Sequence, residues 1–299
     1  QIQHTLAHAT SGDVYAAALW ANALALLTGN IGRPGAGVVA FRGPANAQGA
    51  LDMGCHPDWL PGYRPVTDAA ARQELARFWA ETGGNGVGTA VLPETPGLSF
   101  EELVEAIERG EVRALYVAAN SHAFASTLDE RLLAALERLE VLIVEDSFPS
   151  PLVERAHVVL PVAMFLEQDG TMTNVDRAVQ RLRRAVDPPG EARPSWQLVQ
   201  ELARRLGYDW NARHAVHVFQ DIVHTVPVYR GITFPRLERG PVAWPAAPST
   251  GPARQTLRIG QKVPGGGWAV WLGSGIALSD AWLRTDAPPL AGRVRFCAP

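Results

Sequence analysis

Three short apolar runs constrain this chain most: Val112 to Ala119, Val141 to Val144 and Val158 to Leu160. Each is rich in branched residues, has little room for a polar face, and is separated from the next by a segment of helical character. Strand, helix, strand, helix, strand in that order is the pattern of parallel βαβ units. The intervening helices are expected over Ser126 to Leu139 and, as a short proline-bounded piece, over Leu152 to Arg155. Upstream, Ser99-Phe100-Glu101-Glu102 has the Ser-x-x-Glu capping spacing and opens a helix to Arg109 that Gly110 closes. The expected fold is α/β, a parallel Rossmann-like sheet flanked by helices. Ligands of such sheets bind at the carboxyl ends of the strands, which singles out Asn120-Ser121-His122, Glu145-Asp146-Ser147 and the residues from Pro161 onward.

The flanks are of other kinds. Gly12 to Gly29 is apolar on every side and predicts a largely buried helix. After it come Asn30 to Gly37 and Arg42 to Gly49, small and turn-forming residues among which stand arginine, asparagine and glutamine side chains. Such a run is either a linker or a backbone shaped around a ligand, and its Arg, Asn and Gln side chains favour the second. Amphipathic helices are expected over Thr67 to Thr82, Ser195 to Gly207 and Ala212 to Val226, with a glycine-rich loop over Gly83 to Gly97. From Pro235 on, glycine and proline are frequent and periodicity is lost, while Trp244, Trp268, Trp271 and Trp282 recur; this is expected to be an extended, irregular tail with at most short strands.

Charge and composition exclude several classes. With 27 Lys+Arg against 30 Asp+Glu the formal charge is −3, so no electrostatic case exists for nucleic acid or an anionic membrane as partner. At 47% hydrophobic residues the chain can bury a core. Its longest apolar stretch, Val14 to Leu27, falls short of the ~20 residues a membrane-spanning helix needs. Cys55 and Cys297 lie far apart and can neither staple the chain nor build a four-ligand metal centre, which favours a reducing compartment. A cytoplasmic protein, at most peripheral to a membrane complex, is expected. Beginning at Gln1 without a signal-peptide pattern, the chain reads as a piece of something longer.

No dinucleotide-fold glycine fingerprint, P-loop, nucleophile elbow or zinc-protease helix is present. His214, His217 and His224 could offer imidazoles to a metal, but no cysteine or acid joins them at ligand spacing; no metal ligand is assigned. Cys55 beside His56 is read as structural rather than nucleophilic, since adjacent loop residues seldom face one another. The most informative stretch runs from Glu167 to Arg181, where hydroxyls, amides and two arginines follow a buried strand. It suits a polar, phosphorylated ligand.

The run Leu26-Leu27-Thr28-Gly29-Asn30-Ile31-Gly32-Arg33-Pro34-Gly35-Ala36-Gly37-Val38 resembles the molybdopterin oxidoreductase family, and formate dehydrogenase catalytic subunits within it. So do Arg42-Gly43, Asn46, Gln48-Gly49-Ala50 and Asp52-Met53-Gly54, then Pro61-Gly62-Tyr63. Later landmarks are Glu145-Asp146, Ala156-His157-Val158-Val159-Leu160-Pro161, Asp169-Gly170-Thr171-Met172-Thr173-Asn174, Val228-Tyr229-Arg230-Gly231-Ile232 and Trp244-Pro245. The resemblance implies three parts: 1–66, the end of a preceding lobe with a glycine-rich cofactor and substrate arm; 67–245, an α/β lobe of the molybdopterin-dinucleotide type; and 246–299, the tail. It implies a molybdenum or tungsten bis-molybdopterin guanine dinucleotide and two-electron transfer to iron-sulfur clusters on other lobes or partner subunits. Arg42 matches the arginine beside the substrate carboxylate. Asn46, Gln48, Asn120, Glu145, Asp146, Asp169, Thr171, Asn174 and Arg177 are the implied cofactor contacts. The chain also resembles the large electron-transfer subunit of NADH:quinone oxidoreductase, which implies the alternative of a cofactor-free scaffold.

Overall fold

The computed structural model describes residues 2–5, 11–30, 36, 38–41, 45–82, 92–119, 130–244, 271–272 and 276–277. The chain divides into two compact units: Gln1–Gly49 with Met172–Gln180 and Pro227–Pro299, and Ala50–Thr171 with Arg181–Val226.

In the first unit β1 (Ile2–Thr5), α1 (Ser11–Leu27) and β2 (Val38–Phe41) form a βαβ unit in which the strands pair in parallel, Ile2 opposite Val38 through to Thr5 opposite Phe41. The sequence reading does not anticipate this pair, because strands of four residues carry no period of their own. Nor is α1 largely buried, as its composition led us to expect. Ala18, Asn22 and Ala25 are buried, but Leu19, Trp20, Leu24 and Leu27 are exposed, Trp20 at 76%. Positions 18, 22 and 25 make one helical stripe. A helix that is apolar all round does not say which stripe, or how many, its own unit will cover.

The second unit opens with β3 (Trp59–Leu60) paired antiparallel with β4 (Arg64–Pro65), after α2 (Ala47–Asp52) has led into it. α3 (Ala69–Thr82) lays Ala71 and Leu75 on Leu60 and Val66, a small core on which Trp79 and Leu92 also pack. α4 (Phe100–Glu108) starts with the capping box its sequence requires. The Glu102 N–H donates to Ser99 Oγ at 3.4 Å and the Ser99 N–H to Glu102 Oε2 at 2.8 Å, and Gly110 ends the helix at φ 74.

β5 (Ala114–Ala118), β6 (Val141–Asp146) and β7 (Val158–Pro161) then lie side by side in that order, all parallel, with α5 (Glu130–Leu136) and α6 (Pro151–Arg155) between them in sequence. The α/β architecture expected from the three apolar runs is therefore present. Leu142 and Val144, both fully buried, meet Val104, Ile107, Leu132, Leu136 and Leu152 on the helical side. Alternate residues of a strand face opposite ways, and on the other side Val141 and Val158 remain 40% and 45% exposed. Burial of these strands is thus partial: Leu142, Val144 and Glu145 of β6 are 0% exposed, whereas Val141 at its start and Val158 and Val159 of β7 are 40% to 45% exposed.

β8 (Gly170–Thr173) and β9 (Ala178–Leu182) are joined by the turn Asn174 to Arg177. α7 (Ser195–Arg205) and α8 (Ala215–Thr225) follow. The segment from Pro235, where short strands at most were expected, also forms a helix, α9 (Phe234–Arg239), capped by Thr233; the short strand β10 (Val242–Ala243) follows and pairs antiparallel with β9. Trp244 just beyond is 1% exposed. An N-cap threonine with proline in the first turn was the local signal for that helix. Of the tail, Trp271–Leu272 and Ile276–Ala277 are described, paired antiparallel. No described helix is long and apolar enough to cross a membrane.

Candidate functional site

The turn after β8 fixes a cluster in the first unit. Asn174 Oδ1 accepts the Ala178 N–H at 2.8 Å, and the Arg177 N–H donates to the Asn174 carbonyl at 2.9 Å. This closes a three-residue loop whose last position is left-handed: Arg177 has φ 66. Glycine is usual there, and a side chain costs about 1 kcal/mol. The Arg177 guanidinium carbon lies 5.3 Å from the centre of the Trp244 ring, and the Trp244 N–H donates to the Arg177 carbonyl at 3.1 Å.

Asn46, in the turn leading into α2, is left-handed too, at φ 69. Its Oδ1 accepts the Thr173 N–H at 2.9 Å. Thr173, 3% exposed, shares a hydroxyl–hydroxyl hydrogen bond of 2.7 Å with Tyr229, which is 2% exposed and stacks towards Trp244 at 6.5 Å. Gln48 is buried in the same segment. Of the residues singled out in the sequence, Asn46, Gln48, Asn174 and Arg177 thus belong to one unit, and Thr173 ties two of their segments together. Gly49, Tyr229 and Trp244 went unassigned: Tyr229 and Trp244 served only as landmarks, and nothing local to them points towards residue 46 or 177.

The second unit carries Glu145 and Asp146 at the carboxyl end of β6, its central strand. Glu145 is 0% exposed; Tyr116 Oη donates to its Oε2 at 2.6 Å, and its Oε1 has no hydrogen-bond partner among the described residues. Asp146 is engaged locally, Oδ1 accepting the N–H groups of Ser147 and Phe148 at 2.7 and 3.4 Å and Oδ2 the Ser150 hydroxyl at 3.3 Å. Asp169 accepts from Arg181 Nη2 at 3.2 Å, and Thr171 is half-buried on β8. Arg42 and Asn120 lie outside the described residues.

Burial, followed by the hydrogen bond to Glu145 and that carboxylate's charge, pushes the Tyr116 phenol well above its ordinary range. A phenol raised on folding contributes stability that is complete below the unfolded value near ~10 and is lost as pH rises through the folded one. In an alkaline titration followed by ultraviolet absorbance, Tyr116 is expected to ionise late, and Tyr116→Phe to remove that late step; an unchanged titration would contradict the pairing.

The other candidates make local contacts. His56 stacks on Trp59 with ring centres 4.3 Å apart, and its Nδ1 accepts the Asp58 N–H at 3.2 Å, so the ring is engaged away from a nucleophilic role with Cys55. His217 Nδ1 accepts the Arg213 N–H at 3.3 Å, His224 Nδ1 lies 2.8 Å from the Gln220 carbonyl, and no metal-binding group of histidines, cysteines and acids occurs among the described residues.

The family model described as molybdopterin oxidoreductase matches residues 5–205. "Probable oxidoreductase YjgC" of Bacillus subtilis is 39% identical over 223 residues, 74% of this chain and 22% of that protein. A protein of Staphylococcus haemolyticus named "Putative formate dehydrogenase" is 37% identical over 226 residues, 75% of this chain and 22% of its own. The chain therefore spans about a fifth of the length of these relatives. Among solved structures, acetylene hydratase from Pelobacter acetylenicus aligns over 64% of this chain and 26% of its own, with a TM-score of 0.39 and 16% identity.

Proposed function

The chain belongs to the molybdopterin oxidoreductase family, and on that footing we propose that it is the part of a formate dehydrogenase-like enzyme that holds a guanine dinucleotide arm of a molybdenum or tungsten bis-pterin cofactor. Other lobes or subunits carry the iron-sulfur clusters in this reading. The observation that carries it is Glu145. A fully buried acceptor left without a partner among the described residues, at the carboxyl end of the central strand, is costly unless something fills it. Guanine offers a ring N–H and an amino group side by side, and the end of a parallel strand is where such a ligand lies. When bound, the cofactor supplies two-electron transfer at its metal.

The chain's own residues bind and orient. In the first unit Asn46, Gln48, Asn174 and Arg177 would bind cofactor groups, and in the second Asn120, Asp146, Asp169 and Thr171 would. Arg42 would orient an anionic substrate through its guanidinium fork.

The alternative, a cofactor-free scaffold of the NADH:quinone oxidoreductase type, draws on a different observation. Asp146 and Asn174 already accept hydrogen bonds from their own loops and Asp169 accepts one from Arg181 on β9, so these side chains are engaged without a ligand. Metal and guanine content of the purified holoprotein decides between the two. Under the cofactor reading molybdenum or tungsten and acid-released guanine are both present, and Arg42→Ala abolishes turnover while leaving both in place. A protein that transfers electrons while holding neither metal nor guanine is the scaffold.

A further inference from the structure

Glu145 finds its hydrogen-bond partner on the neighbouring strand. In the register of the sheet Ala118 of β5 stands opposite Glu145 and Tyr116 opposite Ile143, so Tyr116 is the diagonal neighbour of Glu145 on one face. An aromatic side chain spans that diagonal, and Tyr116 Oη donates to Glu145 Oε2 at 2.6 Å. Leu142 and Val144 alternate with Ile143 and Glu145 and turn the other way, into the helical core. On β7 the residue opposite Glu145 is Leu160, and Asp146, next along β6, is taken up by Ser147, Phe148 and Ser150. Among the described residues, Tyr116 alone donates to the Glu145 side chain.

A phenol has one proton to donate and a carboxylate has none. Burial, the hydrogen bond to Glu145 and that carboxylate's charge all keep the proton on the phenol. Given to Oε2, it is not offered to a ligand, and Oε1 is left as an acceptor. Guanine meets such a group with a ring N–H beside an amino group. Cytosine and adenine set a ring-nitrogen acceptor beside theirs, so acceptor would face acceptor in a dry site. We infer that Tyr116 is a positioning residue, which holds Glu145 as an acceptor-only contact and so makes this site select guanine nucleotides against cytosine and adenine nucleotides. The inference rests on the cofactor reading above. Without the phenol, a fully buried carboxyl favours its neutral form. A neutral carboxyl offers one donor and one acceptor, which complements cytosine.

The test titrates guanosine and cytidine monophosphates onto the full chain freed of bound nucleotide, with thermal unfolding followed in parallel. The wild type is expected to bind the guanine nucleotide at least about tenfold more tightly, alike at about pH 6 and about pH 8. In Tyr116→Phe the preference should shrink to within about threefold at about pH 6 and return towards about pH 8, as the carboxyl gives up its proton. Glu145→Gln, whose amide sets a donor beside an acceptor, should lose the preference at both. Damage to the fold alone would weaken both nucleotides without such a pH profile. A Tyr116→Phe protein that keeps the wild-type preference throughout, or loses it equally at both pH values, overturns the inference. Should that variant fail to fold, the wild-type profile decides: a flat preference supports the inference, and one that fades towards about pH 6 overturns it. A wild type that binds both nucleotides equally also overturns it, whereas one that binds neither overturns the cofactor reading itself.

Discussion

Gly49→Ala is expected to destabilise the first unit by about 1 to 5 kcal/mol, although alanine is the better helix former. A Cβ at position 49 would lie 2.2 Å from Asn46 Oδ1 and 3.3 Å from Thr173 Oγ1. Position 49 is inside α2, so alanine should gain about 1 kcal/mol of helix propensity. Against that, the Asn46 side chain must swing away, which strands the N–H of a nearly buried Thr173 at about 1 to 3 kcal/mol, and any crowding that remains adds about 1 to 3 more. The losses exceed the gain. Because the damage passes through Asn46, Gly49→Ala should no longer destabilise in an Asn46→Gly background, and the double variant should unfold at or above the temperature of Asn46→Gly alone. Simple additivity of the two changes would contradict the clash.

Tyr116→Phe/Glu145→Leu is expected to act in the opposite direction on stability. Glu145 has one oxygen held by Tyr116 and one without a partner among the described residues, in a place that is 0% exposed. Replacing both members of a buried polar pair by apolar groups of similar shape is commonly neutral or stabilising, here by up to about 1 to 3 kcal/mol. Thermal unfolding of the double variant should therefore fall at or above that of the wild type. Its guanine content should collapse, because the acceptor that would meet the base is gone. A double variant that unfolds at much lower temperature, or that keeps its guanine, would show that Glu145 serves the fold and not a ligand.

Much of the second unit was legible in the sequence because its signals are local. Ser99 and Glu102 announce a capping box within four residues, and Pro151 begins the short helix before β7. Branched apolar runs marked β5, β6 and β7, and their order with helices between them dictated a parallel sheet. What stayed hidden is long-range. The bonds from Asn46 to Thr173 and from Thr173 to Tyr229 join positions 127 and 56 residues apart, and neither end has a spacing or period that names the other. Trp244 lay among glycines and prolines that suggested an irregular tail, yet its burial is decided by the pairing of β10 with β9. Exposure of α1 was hidden for the converse reason: residues apolar on every side give burial no direction.

The candidate site divides along the same line. Residue types suited to a phosphorylated ligand were readable in the stretch from Asp169 to Arg177, and Glu145 was placed by strand order alone. That one Glu145 oxygen is held by Tyr116 and the other is not depends on the register Ala118 opposite Glu145, and on burial that no pattern within β6 reveals.

A high-resolution structure of the holoprotein tests the central claim most directly. The account expects the guanine base within hydrogen-bonding distance of Glu145 Oε1, about 3 Å from its donors. Guanine bound elsewhere, with that oxygen still lacking a partner, would contradict it.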